Sequence, residues 1–344
     1  MSTPVQRAAI PGADAIPTPL EPEEFQRVAE AVQREVSSAI VGQEEAIQGV
    51  LITLIAGGHA LLEGVPGLGK TSLVRAFARA LDLRYGRIQF TPDLMPADIT
   101  GGTVLMEDAA GRHVLTFQPG PIFANLILAD EINRATPKTQ SALLEAMQEG
   151  TVTTGNSSRP LPRPFCVLAT ENPIEMQGTY PLPEAQLDRF FLKLYFAFPV
   201  RDELTEIVYR TAELPEPPVK KVADAATLLR MNALAHAVPM ARHVVDYASR
   251  LILALQPAAP AAPEVVRRFV RLGASPRGAQ ALCLAGRIAA LLDGRYNLAF
   301  ADVRAVAHAA LRHRIGLSFE ADRQGIAPDA VIDEVLARVP EEPA

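Results

Sequence analysis

Lys70 and Thr71 close the stretch Gly64–Thr71, which also carries Gly64, Gly67 and Gly69. Glycines weaken helices and strands, yet this stretch lies between the apolar run His59–Glu63 and the helix-like run Ser72–Ala80. It fits the pattern G-x-x-x-x-G-K-[ST]. Without Cβ atoms in the way, successive backbone N–H groups can turn inward and cradle phosphate oxygens. A helix starting at Lys70 aims its positive end at the same anion. Lys70 would reach the β- and γ-phosphates and the Thr71 hydroxyl would bind Mg²⁺. The expected nucleotide-binding set is Gly64, Pro66, Gly67, Leu68, Gly69, Lys70, Thr71 and Ser72. The alternative, a plain glycine-rich turn, does not account for the placement between a strand and a helix.

Asn125–Ala135 is the second such stretch: an apolar run ends in two acids, Asp130 and Glu131. Asp130 can hold Mg²⁺ through water, and Glu131 can polarise a water for attack on the γ-phosphate. Taken alone, an Asp-Glu pair after a strand is also what a helix N-terminus favours; beside a phosphate loop the catalytic reading gains. In Cys166–Pro173 another apolar run ends at Asn172, which could sit between the γ-phosphate and that water, although a turn asparagine would look the same. Arg189 precedes a further apolar run and Arg277 opens a helix-like one. Single arginines are usually solvated or locally paired, and only their order along the chain marks these two.

The elements that must position these groups follow from periodicity. Phe25, Val28, Val32 and Val36 recur at helical spacing, and a second helix follows Gly42 and runs to about Ala56. Short apolar runs come next, at Ala60–Leu62, Arg87–Phe90, Leu126–Ala129, Phe165–Ala169 and Phe191–Phe196, with helical patterns such as Thr139–Glu149 among them. Strands alternating with helices predict an α/β fold with a parallel sheet covered on both faces. After Pro199 the strands are expected to stop. Helices are expected at Asp202–Glu213, Asp224–Ala237, Ala241–Leu255, Glu264–Leu272, Gly278–Leu292 and Ala301–His313, with a proline-rich break at Leu214–Lys221. The division is a flexible tail over 1–20, an α/β core over 21–200 and an all-helical region over 201–338. Asp98–Pro121 and Glu149–Phe165 each read as a hairpin, turning at Gly111 and near Gly155–Ser158.

The chain has 344 residues, 49% of them hydrophobic and 21% charged, a globular composition with no apolar run long enough to span a bilayer. Met1–Pro19 lacks the basic and apolar regions of a secretory signal. The two cysteines, Cys166 and Cys283, form neither a disulfide framework nor a metal spacing, so a reducing, cytoplasmic compartment is expected. The net charge of -6 argues against a dedicated nucleic-acid binder.

The series Ile40–Ile47, Gly64–Thr71, Phe117–Gly150, Ala169–Phe190 and Gly273–Leu282 resembles the MoxR group of AAA+ ATPases over about residues 21 to 320. That resemblance implies a three-layer αβα P-loop core with a helical lid, ATP and Mg²⁺ as cofactors, and subunits in a hexameric ring. It implies an adenine pocket lined by Val41 and Gly42, Asn172 as first sensor, Arg277 as second sensor reporting the γ-phosphate to the lid, and Arg189 as an arginine finger acting on a neighbour's nucleotide. Arg134 is an interface candidate. In related helix-2-insert AAA+ proteins such hairpins line the pore or grip substrate, although ordinary loop decoration would read the same way, and the activity would be chaperone-like remodelling of a partner with a von Willebrand factor A domain. Two readings compete. A DNA motor or chelatase-type subunit is opposed, for DNA, by the acidic charge. A nucleotide-controlled scaffold with little hydrolysis is opposed by the joint presence of Glu131, Asn172 and Arg189. The chain departs from the group in its longer, proline-rich N-terminal tail.

Overall fold

The computed structural model describes residues 17–342 except 108–110, 156, 173–177 and 214–217. Most of the expected tail, the tip of the first hairpin, Asn156, Pro173 and part of the proline-rich break therefore lie outside the described residues.

Helices α1 (Pro22–Ala39) and α2 (Glu44–Ala56) lead into β1 (Ala60–Glu63), the phosphate-loop stretch and α3 (Lys70–Ala80). Then follow β2 (Tyr85–Gln89), the short α4 (Pro96–Thr100), a hairpin of β3 (Gly101–Glu107) and β4 (His113–Pro119), β5 (Leu126–Asp130) and α5 (Pro137–Glu149). A second hairpin, β6 (Thr151–Thr154) and β7 (Ser157–Pro160), precedes β8 (Cys166–Glu171), α6 (Glu184–Leu187) and β9 (Leu192–Tyr195). The sheet runs β2-β5-β8-β1-β9 and every neighbouring pair is parallel.

Alternation along the strands divides the core in two. Ala60, Leu62, Leu126, Leu128, Leu168 and Leu194 pack with α1, α2 and α3. Leu61, Ile127, Ala129, Val167 and Ala169 pack with Ile99 of α4 and Leu143, Leu144 and Met147 of α5. Both faces of the sheet are thus covered, which is why its strands read as near-continuous apolar runs. In α1 the buried stripe is Phe25, Ala29, Val32 and Val36, with Val28 only half-buried at its margin.

Beyond β9 come α7 (Arg201–Glu213), α8 (Ala225–Ala237), α9 (Arg242–Ala254) and α10 (Glu264–Phe269), then α11 (Pro276–Leu292), α12 (Phe300–Leu311), α13 (Phe319–Gln324) and α14 (Pro328–Arg338). The expected helix over 264–272 ends at Phe269. Val270–Leu272 forms β10, which pairs antiparallel with β11 (Gly316–Leu317), so strands do not stop at Pro199. The helix expected to reach His313 ends at Leu311 and tightens into a 3-10 turn over Arg312–Arg314. The helical region packs directly on the core: α8 and α11 lie against α2, α11 also meets α1, and α12 lies against β9. Helix α2 is buried along nearly its whole length, as expected of a helix apolar on every side. Gly49 allows the contact with the sheet, since a Cβ there would overlap Leu194. Among the described residues no helix is long and apolar enough to cross a membrane.

His59, just before β1, is buried and joins two elements. Its Nδ1 accepts from the Val167 backbone N–H at 3.0 Å, and its Nε2 faces the Met147 carbonyl at 3.1 Å. A backbone N–H can only donate, so the ring is neutral with its proton on Nε2. Burial pushes its pKa down from 6.5 to about 4, slightly offset by the Met147 bond. Between those values the unfolded chain binds a proton that the folded one refuses, so stability is complete above the unfolded value and falls as pH drops. From pH 7 to pH 5 the loss from His59 is about 2 kcal/mol. Buried His313, also lowered mainly by burial, acts in the same direction. Urea unfolding at pH 5, 6 and 7 should show the decline, and His59→Gln, whose amide can both donate and accept, should flatten part of it. An unchanged slope in the variant would remove His59 as a source.

Candidate functional site

The carboxyl edge of the sheet carries a cavity of about 350 Å³ lined by Pro66, Gly67, Gly69, Lys70 and Thr71 on one side and Asp130, Glu131, Thr170, Glu171 and Asn172 on the other. Gly67 and Gly69 have φ of 87° and 80°, and a Cβ at either would meet nothing within 4 Å. Their requirement is conformational: side chains rarely adopt this region, and the space above the loop is left open for a ligand. Gly69 caps α3, so the positive end of the helix points into the cavity. Lys70 Nζ donates to the Gly64 carbonyl at 2.5 Å, which folds it over the loop. Burial lowers its pKa, with Asp130, Glu131 and Glu63 opposing the shift.

Register sets the opposite wall. Gln89 pairs with Asp130, and Ala129 with Ala169, so the ends of β2, β5 and β8 lie side by side. Thr170 Oγ1 donates to Asp130 Oδ1 at 2.7 Å and accepts from the Glu131 backbone N–H at 2.8 Å. Arg87 donates to Asp130 Oδ2 at 2.7 Å. Glu131 has φ 56° and ψ 51°, a left-handed conformation that costs a non-glycine residue about 1–2 kcal/mol. The turn carries its carboxylate to the cavity, where Oε2 accepts from Gln89 Nε2 at 3.0 Å and from Arg134 at 3.1 Å. Arg134, expected at an interface, thus lies against its own chain's Glu131. Buried Asn172 lines the cavity. Glu171 does so too, its pKa raised by burial with nearby Glu63 adding to the shift and Lys193 opposing it.

A second cleft of about 360 Å³ adjoins the phosphate loop. Ile40, Val41, Leu68, Phe198, Leu204 and Ile207 give it apolar walls, and Ser72 and Gly69 its floor. Gly42 does not line it. With φ of 68°, Gly42 lets the chain turn into α2 where Glu203 approaches. Gly64 lines neither cavity and serves through its carbonyl to Lys70. The residues fit a nucleotide: an apolar slot for a base, an open loop with a lysine for phosphates, and a hydroxyl with a carboxylate for a cation. Among the described residues no group of three His, Cys, Asp or Glu side chains could hold a metal. Mg²⁺ does not require one, since it takes one or two protein groups besides phosphates and water.

Arg189 and Arg277 are elsewhere. They line a cavity of about 320 Å³ with Gly58, His59, Asp188 and Arg314. Gly58 and His59 precede β1 and the phosphate loop follows it, so the two arginines lie at the amino edge of the sheet. The four residues of β1 separate the edges by about 13 Å. No described residue lines both this cavity and the phosphate cavity. Asp188 is already engaged by Arg314 at 3.0 Å and by Ser275. Burial draws Arg314 down to about 10, with Asp188 opposing. Arg189 donates to the Leu144 carbonyl at 3.1 Å. Among the described residues neither Arg189 nor Arg277 forms an ion pair, and the cavity sets Arg189, Arg277 and Arg314 against one carboxylate, Asp188.

Sequence reading missed Thr170, Arg87 and Gln89. The available signal was alternation: Thr170 lies two residues before Asn172, and Gln89 ends its strand as Asp130 ends the neighbouring one.

A nucleotide-binding loop, paired acids and a strand-end asparagine on a parallel sheet, followed by packed helices, define a P-loop ATPase with a helical lid. The family model of ATPases associated with various cellular activities (AAA) matches residues 59–192, and the AAA lid domain model matches residues 263–335. The chain is similar to Chaperone MoxR1 of Mycobacterium tuberculosis, at 43% identity over 305 residues, 89% of this chain and 80% of that protein. It is similar to Protein MoxR of Methylorubrum extorquens, at 34% identity over 328 residues, 90% of this chain and 93% of that protein. The crystal structure of a candidate ATPase from Cytophaga hutchinsonii superposes with a TM-score of 0.87 at 38% identity, covering 93% of this chain and 96% of that one. The chain belongs to the MoxR group of AAA+ ATPases.

Proposed function

We propose that this ATPase works as a Mg²⁺-dependent hexameric ring in the cytoplasm, with each active site completed by a neighbouring subunit, and that turnover drives chaperone-like remodelling of a client protein. The observation that carries this reading is the separation of Arg189 and Arg277 from the phosphate cavity by the length of β1, from the amino to the carboxyl edge of the sheet. Two guanidinium groups that form no ion pair among the described residues, at the edge away from their own phosphate loop, suit a γ-phosphate on the next subunit. In this arrangement the core extends over 21–200 and the lid over 201–338. The cleft beside Val41 takes adenine, and the loop and Lys70 hold the phosphates. Thr71 and Asp130 would hold Mg²⁺, which neutralises phosphate charge when bound. Glu131 accepts a proton from the attacking water, which Asn172 helps to place, while Arg189 and Arg277 meet the adjacent γ-phosphate.

The client is assigned to the two hairpins, which touch each other where Arg159 lies 4.0 Å from the Phe117 ring. Leu105 and Leu115, 63% and 70% exposed, pair across the first hairpin; apolar residues grouped in this way mark binding surfaces. Resemblance to the group suggests a client with a von Willebrand factor A domain. Turnover per subunit, measured beside the mass distribution across a dilution series in Mg²⁺ and ATP, should track the fraction of rings. A monomer hydrolysing at the ring's rate would end the shared-site reading.

A further inference from the structure

We infer that Thr170 is a positioning residue for hydrolysis, its single hydroxyl setting the geometry of both Asp130 and Glu131. The inference rests on the reading of Glu131 as the base. Thr170 is 2% exposed, at the end of β8 beside β5. The Glu131 backbone N–H can only donate, so Thr170 Oγ1 accepts there, and its one proton goes to Asp130 Oδ1. Both contacts fall on adjacent residues with opposite needs. Asp130 must present a fixed carboxylate toward the cation site, and among the described residues Arg87 alone holds its other oxygen. Glu131 must keep a left-handed backbone to bring its carboxylate to the cavity, and the bond to Thr170 anchors that peptide. Loss of the hydroxyl would leave one half-buried donor, the Glu131 N–H, unpaired and free one carboxylate oxygen to turn. Small displacements of a general base lower rates steeply while leaving contacts made by other groups intact.

The test compares Thr170→Val, which keeps the shape and loses the hydroxyl, with Thr170→Ser, which keeps the hydroxyl and loses a methyl. The measurements on the full chain are steady-state kcat, equilibrium binding of a fluorescent ATP analogue with Mg²⁺, and thermal melting. Expected for valine is a fall in kcat of about tenfold or more with the analogue Kd within about threefold, whereas serine keeps roughly half of parental kcat or better. Valine at parental kcat overturns the inference, as does an equal loss in both variants, which would make bulk the cause. If the valine variant fails to fold, Thr170→Ala replaces it in the same comparison with serine. Glu131→Gln, run alongside, separates the two readings. A glutamine variant turning over at the parental rate removes the base itself and this inference with it, whereas an inactive one beside a fully active Thr170→Val overturns the positioning role alone.

Discussion

Glu131→Gln should bind ATP as the parent does and hydrolyse it at least about 10²-fold more slowly, the range in which a positioned base acts. The substitution keeps the shape of the side chain and removes its charge and basicity. A glutamine side chain occupies the same volume, and its Oε1 can still accept from Gln89 and Arg134, which stand 3.0 and 3.1 Å from the carboxylate. The backbone bond to Thr170 does not involve the side chain, so the left-handed turn persists. Affinity rests on other groups, namely the loop around Lys70 and the apolar cleft beside Val41. What disappears is an oxygen able to take the proton from the attacking water. Holding the ATP state should also prolong any ring and client complex. Phosphate release measured beside equilibrium ATP binding decides the matter. Turnover near the parental rate would assign the base elsewhere, and Glu171, which lines the same cavity and whose pKa is raised by burial, would be the next candidate.

Much of this site was legible before any coordinates. The five sheet strands were expected at nearly their observed positions because a sheet covered on both faces leaves apolar runs that need no partner information to recognise. The phosphate loop and the Asp130–Glu131 pair were legible because their chemistry is local in sequence. Contacts across strands were not. Thr170 meets Asp130 only because β5 and β8 pair in one particular register, and register between segments about forty residues apart is fixed by the packed core rather than by either strand. The position of Arg277 is a similar case. Sequence places it at the start of a helix, but what carries it to the amino edge is the packing of α11 on α2. The all-round apolar character of α2 signals that something covers it without naming what. β10 escaped notice because three residues, Val270–Leu272, continue a helical pattern and pair only with the distant Gly316–Leu317.

Arg189→Ala should bind ATP normally and hydrolyse it very slowly, and activity should return when it is mixed with an equally inactive Lys70→Ala. The local explanation for Arg189, an ion pair with Glu184 or Asp188, finds both carboxylates in use: Glu184 pairs with Arg271, and Asp188 with Arg314 and Ser275. What remains is a guanidinium anchored, among the described residues, through a bond to the Leu144 carbonyl, beside Arg277 in the cavity at the amino edge. From there it cannot reach its own phosphate loop across β1, so on the proposed reading the charge it stabilises belongs to another subunit. Arginine fingers contribute roughly 10³–10⁵ in rate where they have been measured, which sets the size of the loss. Lys70→Ala has the opposite defect. It removes the cation that folds over the loop and leaves Arg189 untouched, so its pocket should lose ATP while its finger survives. In a mixed ring, some interfaces set the intact pocket of the Arg189→Ala subunit against the intact finger of the Lys70→Ala subunit. Those interfaces alone should hydrolyse, and activity should peak near equal proportions. Fluorescence transfer between labelled chains verifies that subunits have exchanged. Mixed rings without recovered turnover would mean that Arg189 acts within its own chain or only in structure. A fully active Arg189→Ala would mean that it carries no catalytic charge at all.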